Sequence, residues 1–417
     1  MTKKYFGKIA AVLSIAAMVC ISCEFVDIEK KNFPNDYVDL GDVAQLMAAL
    51  PLEKEQLKEV YDAVNASSAN GYDEEYTLTR LFENPGSGVG DGQTTKAAGR
   101  YGTPLKSMIE EHLKGLVETK AAAMSSCENC YLAVLRDLGV DGFTRVLCDS
   151  DMQIYWPYSS SWNGEDFPIV TFDPESKAAK NVGYKFTVDA DGRRSVEEVI
   201  VDEALAKDTP VWVINRNSDA GAKTLEMLRR EDPDWGSGGT IVVRPASLRF
   251  RTKAPEAEKS KCLILEKFKA KSHFESWFAG ASEFYVKTGY VEDFTATTEA
   301  EMRLYNPSIT DFLVVVKRGE LNKEIDCSAM LISDWTTQME SCAFMIVEDD
   351  GGTQKSWDCS AIVKIASKSY GFDISIPLNS RDDIVWRGQL SNKWLAAHSE
   401  VQGHFGEVSL TFRVEEY

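Results

Sequence analysis

Aspartates stand at the turn-like positions of the last third of this chain: Asp334, Asp349, Asp350, Asp358, Asp373, Asp382 and Asp383. Carboxylate oxygens are the preferred ligands of calcium, which takes about six to eight of them. Antiparallel strands return alternate loops to the same end of a sheet, so Asp334, Asp349, Asp350 and Asp382 are expected to converge as a calcium cage. Calcium is the cofactor that these carboxylates suggest. The plainer reading of the same residues is solvated turns that hold no ion.

A second group is aromatic. Tyr155, Trp156 and Tyr158 flank Pro157, with Trp162 close behind. Proline ends a strand and exposes the residues after it, so these rings are expected to form a ligand-binding platform for a sugar ring or a peptide side chain. The alternative is that Tyr155 and Trp156 cover the edge of a core.

Other patterns carry less chemistry. Cys127 and Cys130 have the two-residue gap of a metal or redox pair, but no second such pair exists. With Cys148 and His112 they are one conceivable zinc set; free thiols or a disulfide are the alternatives. Asp189, Asp191, Gly192 and Glu198 match part of a calcium loop between strand-like flanks, which favours a plain hairpin. The glycines from Gly86 to Gly92 fail the phosphate-loop pattern because Gln93 follows where Lys is needed. His-Glu-x-x-His and Gly-x-Ser-x-Gly are absent. The chemistry therefore favours a non-catalytic binding or interaction module. Its rival is a hydrolase with a carboxylate-based site at the loops of the C-terminal strands.

Bulk properties narrow the partners. A formal charge of −19 over 417 residues opposes nucleic-acid binding, which needs clustered Lys and Arg. The 44% hydrophobic content is that of a folded chain. Cys262 and Cys342 sit in strand-like apolar runs and are expected to be buried thiols.

The beginning of the chain supplies an address. Lys3 and Lys4 precede an apolar run from Ile9 to Ile21, shorter than the roughly 20 residues that span a bilayer. Cys20-Ile21-Ser22-Cys23 comes next, and resembles the lipobox of bacterial lipoproteins, with Cys20 where Leu is usual. That resemblance implies cleavage before Cys23, lipidation of its sulfur, and anchorage to an extracytoplasmic membrane face, the outer membrane being expected. The whole resembles surface lipoproteins of Bacteroidota, which join a lipid Cys and an acidic tether to sandwich modules. A glycan or protein ligand is then the expected partner besides the membrane.

Periodicity indicates the secondary structure on which these residues are carried. Residues 1–22 read as signal, 23–38 as lipidated tether and 39–148 as a helical region, in which Val43, Leu46 and Met47, then Leu57, Val60 and Val64, repeat on one face. The spacing predicts the longest helical stretch over 103–137, with Thr103 as cap and Pro104 in the first turn. Short alternating runs predict a β-rich middle domain over 149–239 and an antiparallel β-sandwich over 240–417. The fold class is α+β.

Overall fold

The computed structural model describes residues 38–90, 100–119, 131–188, 194–217, 223–231, 261–395 and 400–416. The signal, the tether, Cys127, Cys130, the Ala190-Asp191-Gly192 turn, the 239/240 boundary and His398 lie outside them. Among the described residues are nine helices and sixteen strands in three sheets, an α+β fold with sandwich-like C-terminal sheets.

The amphipathic repeats form helices as expected. In α1 (Leu40–Ala49) and α2 (Lys54–Ala69) the residues at three- and four-residue spacing are those buried. Then come α3 (Leu78–Glu83) and α4 (Leu105–Glu118). The stretch predicted to end at residue 137 resumes as α5 (Tyr131–Cys148), which is interrupted at Gly139, φ 69°. Thr103 does not cap α4. The helix begins after Pro104, and carboxylates of α2 serve its N-terminal amides: Glu55 accepts from Gly102 N (2.5 Å) and Thr103 N (3.1 Å), Glu59 from Leu105 N (2.6 Å).

The first sheet runs in the order β1-β2-β6-β3-β4-β5. Its strands are β1 (Glu75–Thr77), β2 (Met152–Tyr155), β3 (Ile169–Phe172), β4 (Lys180–Val188), β5 (Arg194–Asp202) and β6 (Val211–Arg216). Only β3 and β6 pair in parallel; α6 (Glu203–Asp208) lies on the connection from β5 to β6. β4 and β5 pair continuously as a hairpin. β1, from within the helical region, forms one edge of this sheet, and α1 packs across β3, β4 and β6.

After α7 (Leu225–Glu231) come the two C-terminal sheets. One has the order β10-β7-β16-β15, from β7 (Lys261–Ala270), β10 (Ile325–Trp335), β15 (Glu400–Phe405) and β16 (Val408–Glu416). The other has the order β13-β12-β11-β8-β9, with β14 added on β11. It holds β8 (Ser282–Tyr290), β9 (Ser308–Val316), β11 (Met339–Glu348), β12 (Gln354–Ile365), β13 (Lys368–Asn379) and β14 (Asp383–Ser391), with the short α8 (Glu299–Met302) and α9 (Asn392–Leu395) between strands. Their facing sides share one core that includes Leu265, Phe268, Phe284, Phe344 and Phe412. The last strand pairs on both sides, with β7 and β15.

β12 pairs with β11 only at Met339 and Ser341, after which β14 takes its place. The β12–β13 hairpin packs Ile374 and Ile376 with Ala343, Met345 and Val347 of β11 in a separate apolar cluster. Gly289 permits this approach, since a Cβ there would lie 2.8 Å from Ile374 Cγ2. Cys262, Cys327 and Cys342 are buried and unpaired, and Cys148 and Cys359 are also free.

The β7–β8 connection ties the first sheet to the sandwich. Trp277 and Phe278 pack with Tyr155 and Val213, and Asn215 donates from Nδ2 to the carbonyls of Phe278 (3.1 Å) and Ala279 (2.6 Å). Asp73 accepts from Ala281 N (2.8 Å). The described residues from Val38 onward form one compact unit.

Candidate functional site

Two places gather chemistry. The first is a small open pocket walled by Trp156, Tyr158, Trp162, Asn163, Asp166 and Asp208, among others. β2 ends at Tyr155, and the chain turns through Pro157 into a short 3-10 segment, Ser159–Ser161. Tyr158 stands at that turn with φ 60° and ψ 25°, a left-handed conformation that a tyrosine rarely adopts. Glu74 holds it there, accepting from Tyr158 N (3.3 Å) and Ser159 Oγ (2.9 Å). The Tyr158 hydroxyl donates to Glu203 (2.8 Å), and Lys207 Nζ lies 5.8 Å from the ring centre. Trp162 donates its indole N–H to Asp166 O (2.9 Å).

The sequence placed four aromatics on this platform; the structure separates them. Tyr155 is buried among Val213, Trp277 and Phe278, because β2 is an inner strand covered on both faces. It cannot meet a ligand. Trp156 is 1% exposed and packs edge-on against Tyr61, Trp162 and Trp212, so it backs the pocket. Tyr158 and Trp162 are partly exposed and form its wall.

The second place is acidic and lies at the end of β11. The loop after β11 and the β13–β14 connection meet there: Asp349 accepts from Gly351 N (2.9 Å) and Asn379 Nδ2 (3.2 Å), and Asp382 accepts from Asn379 N (2.7 Å). Burial first, and the neighbouring Asp349 charge after it, raises the Asp382 pKa. The neighbouring Glu275, Glu348 and Asp350 each offer an oxygen within 4.8 Å of the others. Burial first, then a hydrogen bond with Asp350, pushes Glu275 up to about 8. Burial, then the charges of Glu275 and Asp350, pushes Glu348 up to about 9.

Of the four aspartates grouped from sequence, Asp349, Asp350 and Asp382 therefore come together. Asp334 does not. It precedes Trp335, whose indole N–H donates to Met339 O at the opposite end of β11 (2.6 Å), and its charge acts on Tyr290 and Cys262. Asp358 and Asp373 lie within β12 and β13, where serines donate to them. The sequence reading missed Glu275 and Glu348. The first lies in a connection without a motif; the second ends a strand, and only the run Glu348-Asp349-Asp350-Gly351-Gly352 signals it.

No family model matches this chain, and no curated protein sequence matches it either. Function is therefore argued from these two places alone.

A third polar group lies between them. Asp73 and Glu74 are buried beside the charges of Lys317 and Arg318. His273 packs nearby, accepting or donating at Nδ1 to Ser282 Oγ (3.3 Å), and burial followed by the Arg318 charge lowers its pKa to about 4. These residues hold backbone: Arg318 donates to the carbonyls of Gly280, Glu275 and Ser276. His404 shares a hydrogen bond with Ser409 Oγ (2.8 Å).

Proposed function

We propose that this chain is a lipid-anchored extracytoplasmic protein that acts as a non-catalytic binding module, with a glycan as its ligand in the Tyr158–Trp162 pocket. One observation carries the reading: Tyr158 is kept in a costly backbone conformation, of order 1–3 kcal/mol, where its ring forms the pocket wall. Strain of this kind persists where the surroundings enforce it, and here a buried carboxylate does so. An aromatic wall with Asn163, Asp166 and Asp208 at hand offers both an apolar face and hydrogen-bonding groups, which is what a sugar ring presents in return. A hydrolase at the sandwich loops is less favoured, since Glu348 is 1% exposed and a scissile bond cannot reach it.

A glycan and peptide array probed with the full chain tests this. Trp162→Ala is expected to weaken the strongest array signal by roughly tenfold or more, as loss of an aromatic anchor does. An unchanged signal would move the binding surface elsewhere; peptide signals alone would replace the glycan by a protein ligand.

The anchor is tested separately. Attachment in this proposal rests on Cys23; among the described residues no helix is long and apolar enough to cross a membrane. Cys23→Ala is expected to shift the protein from the membrane fraction to the soluble one, or to leave the precursor uncleaved. Mass spectrometry that finds an unmodified N-terminus at another residue would overturn the lipoprotein assignment.

A further inference from the structure

Glu348 departs from the rule that a buried carboxylate is paired. It is 1% exposed, and no side chain among the described residues donates to either of its oxygens; the backbone amide of Glu283 is the donor beside it. Both neighbours that it faces are acids, Glu275 and Asp350. Arg318, whose charge acts on Glu275, directs Nε and Nη2 to backbone carbonyls instead. An arrangement of three carboxylates without a cation of their own is costly to bury and is relieved by an ion held among them.

The donor set selects the ion. The three ligand oxygens lie within 4.8 Å of one another, close enough to share one cation. A set made only of carboxylate oxygens suits a hard divalent cation, and three protein carboxylates suit calcium better than magnesium, which keeps several waters and is usually held by one or two carboxylates. Glu275 and Asp350 are partly exposed, which leaves the site an opening for entry and for water ligands.

We propose that Glu275, Glu348 and Asp350 bind a calcium ion at the end of β11. This site is independent of the aromatic pocket and differs from the cage read from sequence, because Asp350 alone belongs to both sets. The ion joins the β7–β8 connection, through Glu275, to the last residue of β11. That connection also carries Trp277 and Phe278 onto the first sheet, so calcium braces the seam between the first sheet and the sandwich.

The test uses the full chain in detergent, stripped with chelator and titrated with calcium or magnesium chloride, read by calorimetry and by melting temperature. One calcium per chain, a raised melting temperature and a weaker response to magnesium are expected. Glu348→Gln is expected to lose at least roughly tenfold in calcium affinity, the discrimination of one strong interaction. Asp334→Asn, the same charge change at the other end of β11, is expected to leave affinity unchanged. Should Glu348→Gln fail to fold, Asp350→Asn at a partly exposed position gives the same comparison. No heat and no melting shift at millimolar calcium would overturn the proposal. So would retained binding in the Glu348 or Asp350 variant, or equal losses in Asp334→Asn; equal response to magnesium would overturn the choice of calcium.

Discussion

Glu59→Ala is expected to destabilise the protein by about 4 kcal/mol. Glu59 is buried within α2, and its two oxygens have different duties: one accepts from the Tyr76 hydroxyl (2.9 Å), the other from Leu105 N (2.6 Å) at the start of α4. Tyr76 and Leu105 are also 0% exposed, so water cannot replace the lost acceptor. Each orphaned buried donor costs roughly 1–3 kcal/mol, and the vacated side chain adds to that. The effect reaches further than one helix, because Tyr76 belongs to β1 and its hydroxyl accepts from Gly86 N (2.8 Å). Glu59→Gln keeps one acceptor oxygen and is expected to lose about half as much. Urea denaturation followed by tryptophan fluorescence reads both. A loss below about 1 kcal/mol in Glu59→Ala would mean that α4 is held by packing and not by this carboxylate.

In chelator the protein is expected to lose stability steadily as pH rises from 5 to 9. Glu74 titrates in the folded chain near pH 7, pushed up by burial and then by Asp73, against 4.5 as its ordinary value. A raised carboxyl binds its proton more tightly when folded, so its stabilising contribution is present in full below about pH 4.5 and is lost as pH climbs through 7. That interval corresponds to on the order of 3 kcal/mol for Glu74 alone. Glu275 and Glu348, raised to about 8 and about 9, extend the decline to higher pH. His273 acts in the other direction. Its folded pKa is lowered to about 4, so the unfolded chain takes up a proton first as pH falls below 6.5, and acid destabilises the fold there. Greatest stability is therefore expected on the mildly acidic side of neutrality. Denaturation curves across this range check it, with Glu74→Gln flattening the part between pH 5 and 8. A profile that is flat or rises toward pH 9 in chelator would show that these carboxyls are not held out of water.

What was legible in the sequence is what depends on near neighbours. The three- and four-residue repeats of Leu57, Val60 and Val64 specify which face of α2 is buried, because helix geometry alone brings them to one side. A continuous apolar run likewise marks a buried strand such as β9, where Phe312 to Val316 are all buried. The single helical stretch expected over 103–137 differs from the structure, where α4 begins after Pro104 and ends at Glu118, and α5 runs from Tyr131 to Cys148. Local capping rules pointed to Thr103, whereas the acceptors came from α2, nearly fifty residues earlier.

Tertiary structure decided the sites. Asp334 and Asp349 have the same local character, an acid at the end of a strand, yet β11 separates their ends by ten residues, about 33 Å at 3.3 Å per residue. The same pairing carries Glu275 to Glu348, since the start of β8 lies beside the end of β11 and the Glu283 carbonyl accepts from Asp349 N. Tyr155, the last residue of β2, and Trp156 just after it are adjacent in sequence but have different surroundings, where one meets Phe278 and the other Tyr61. Aromatic content was visible in the chain. Which ring faces a ligand depends on what covers each face of the sheet, and those covering segments come from residues far away in sequence.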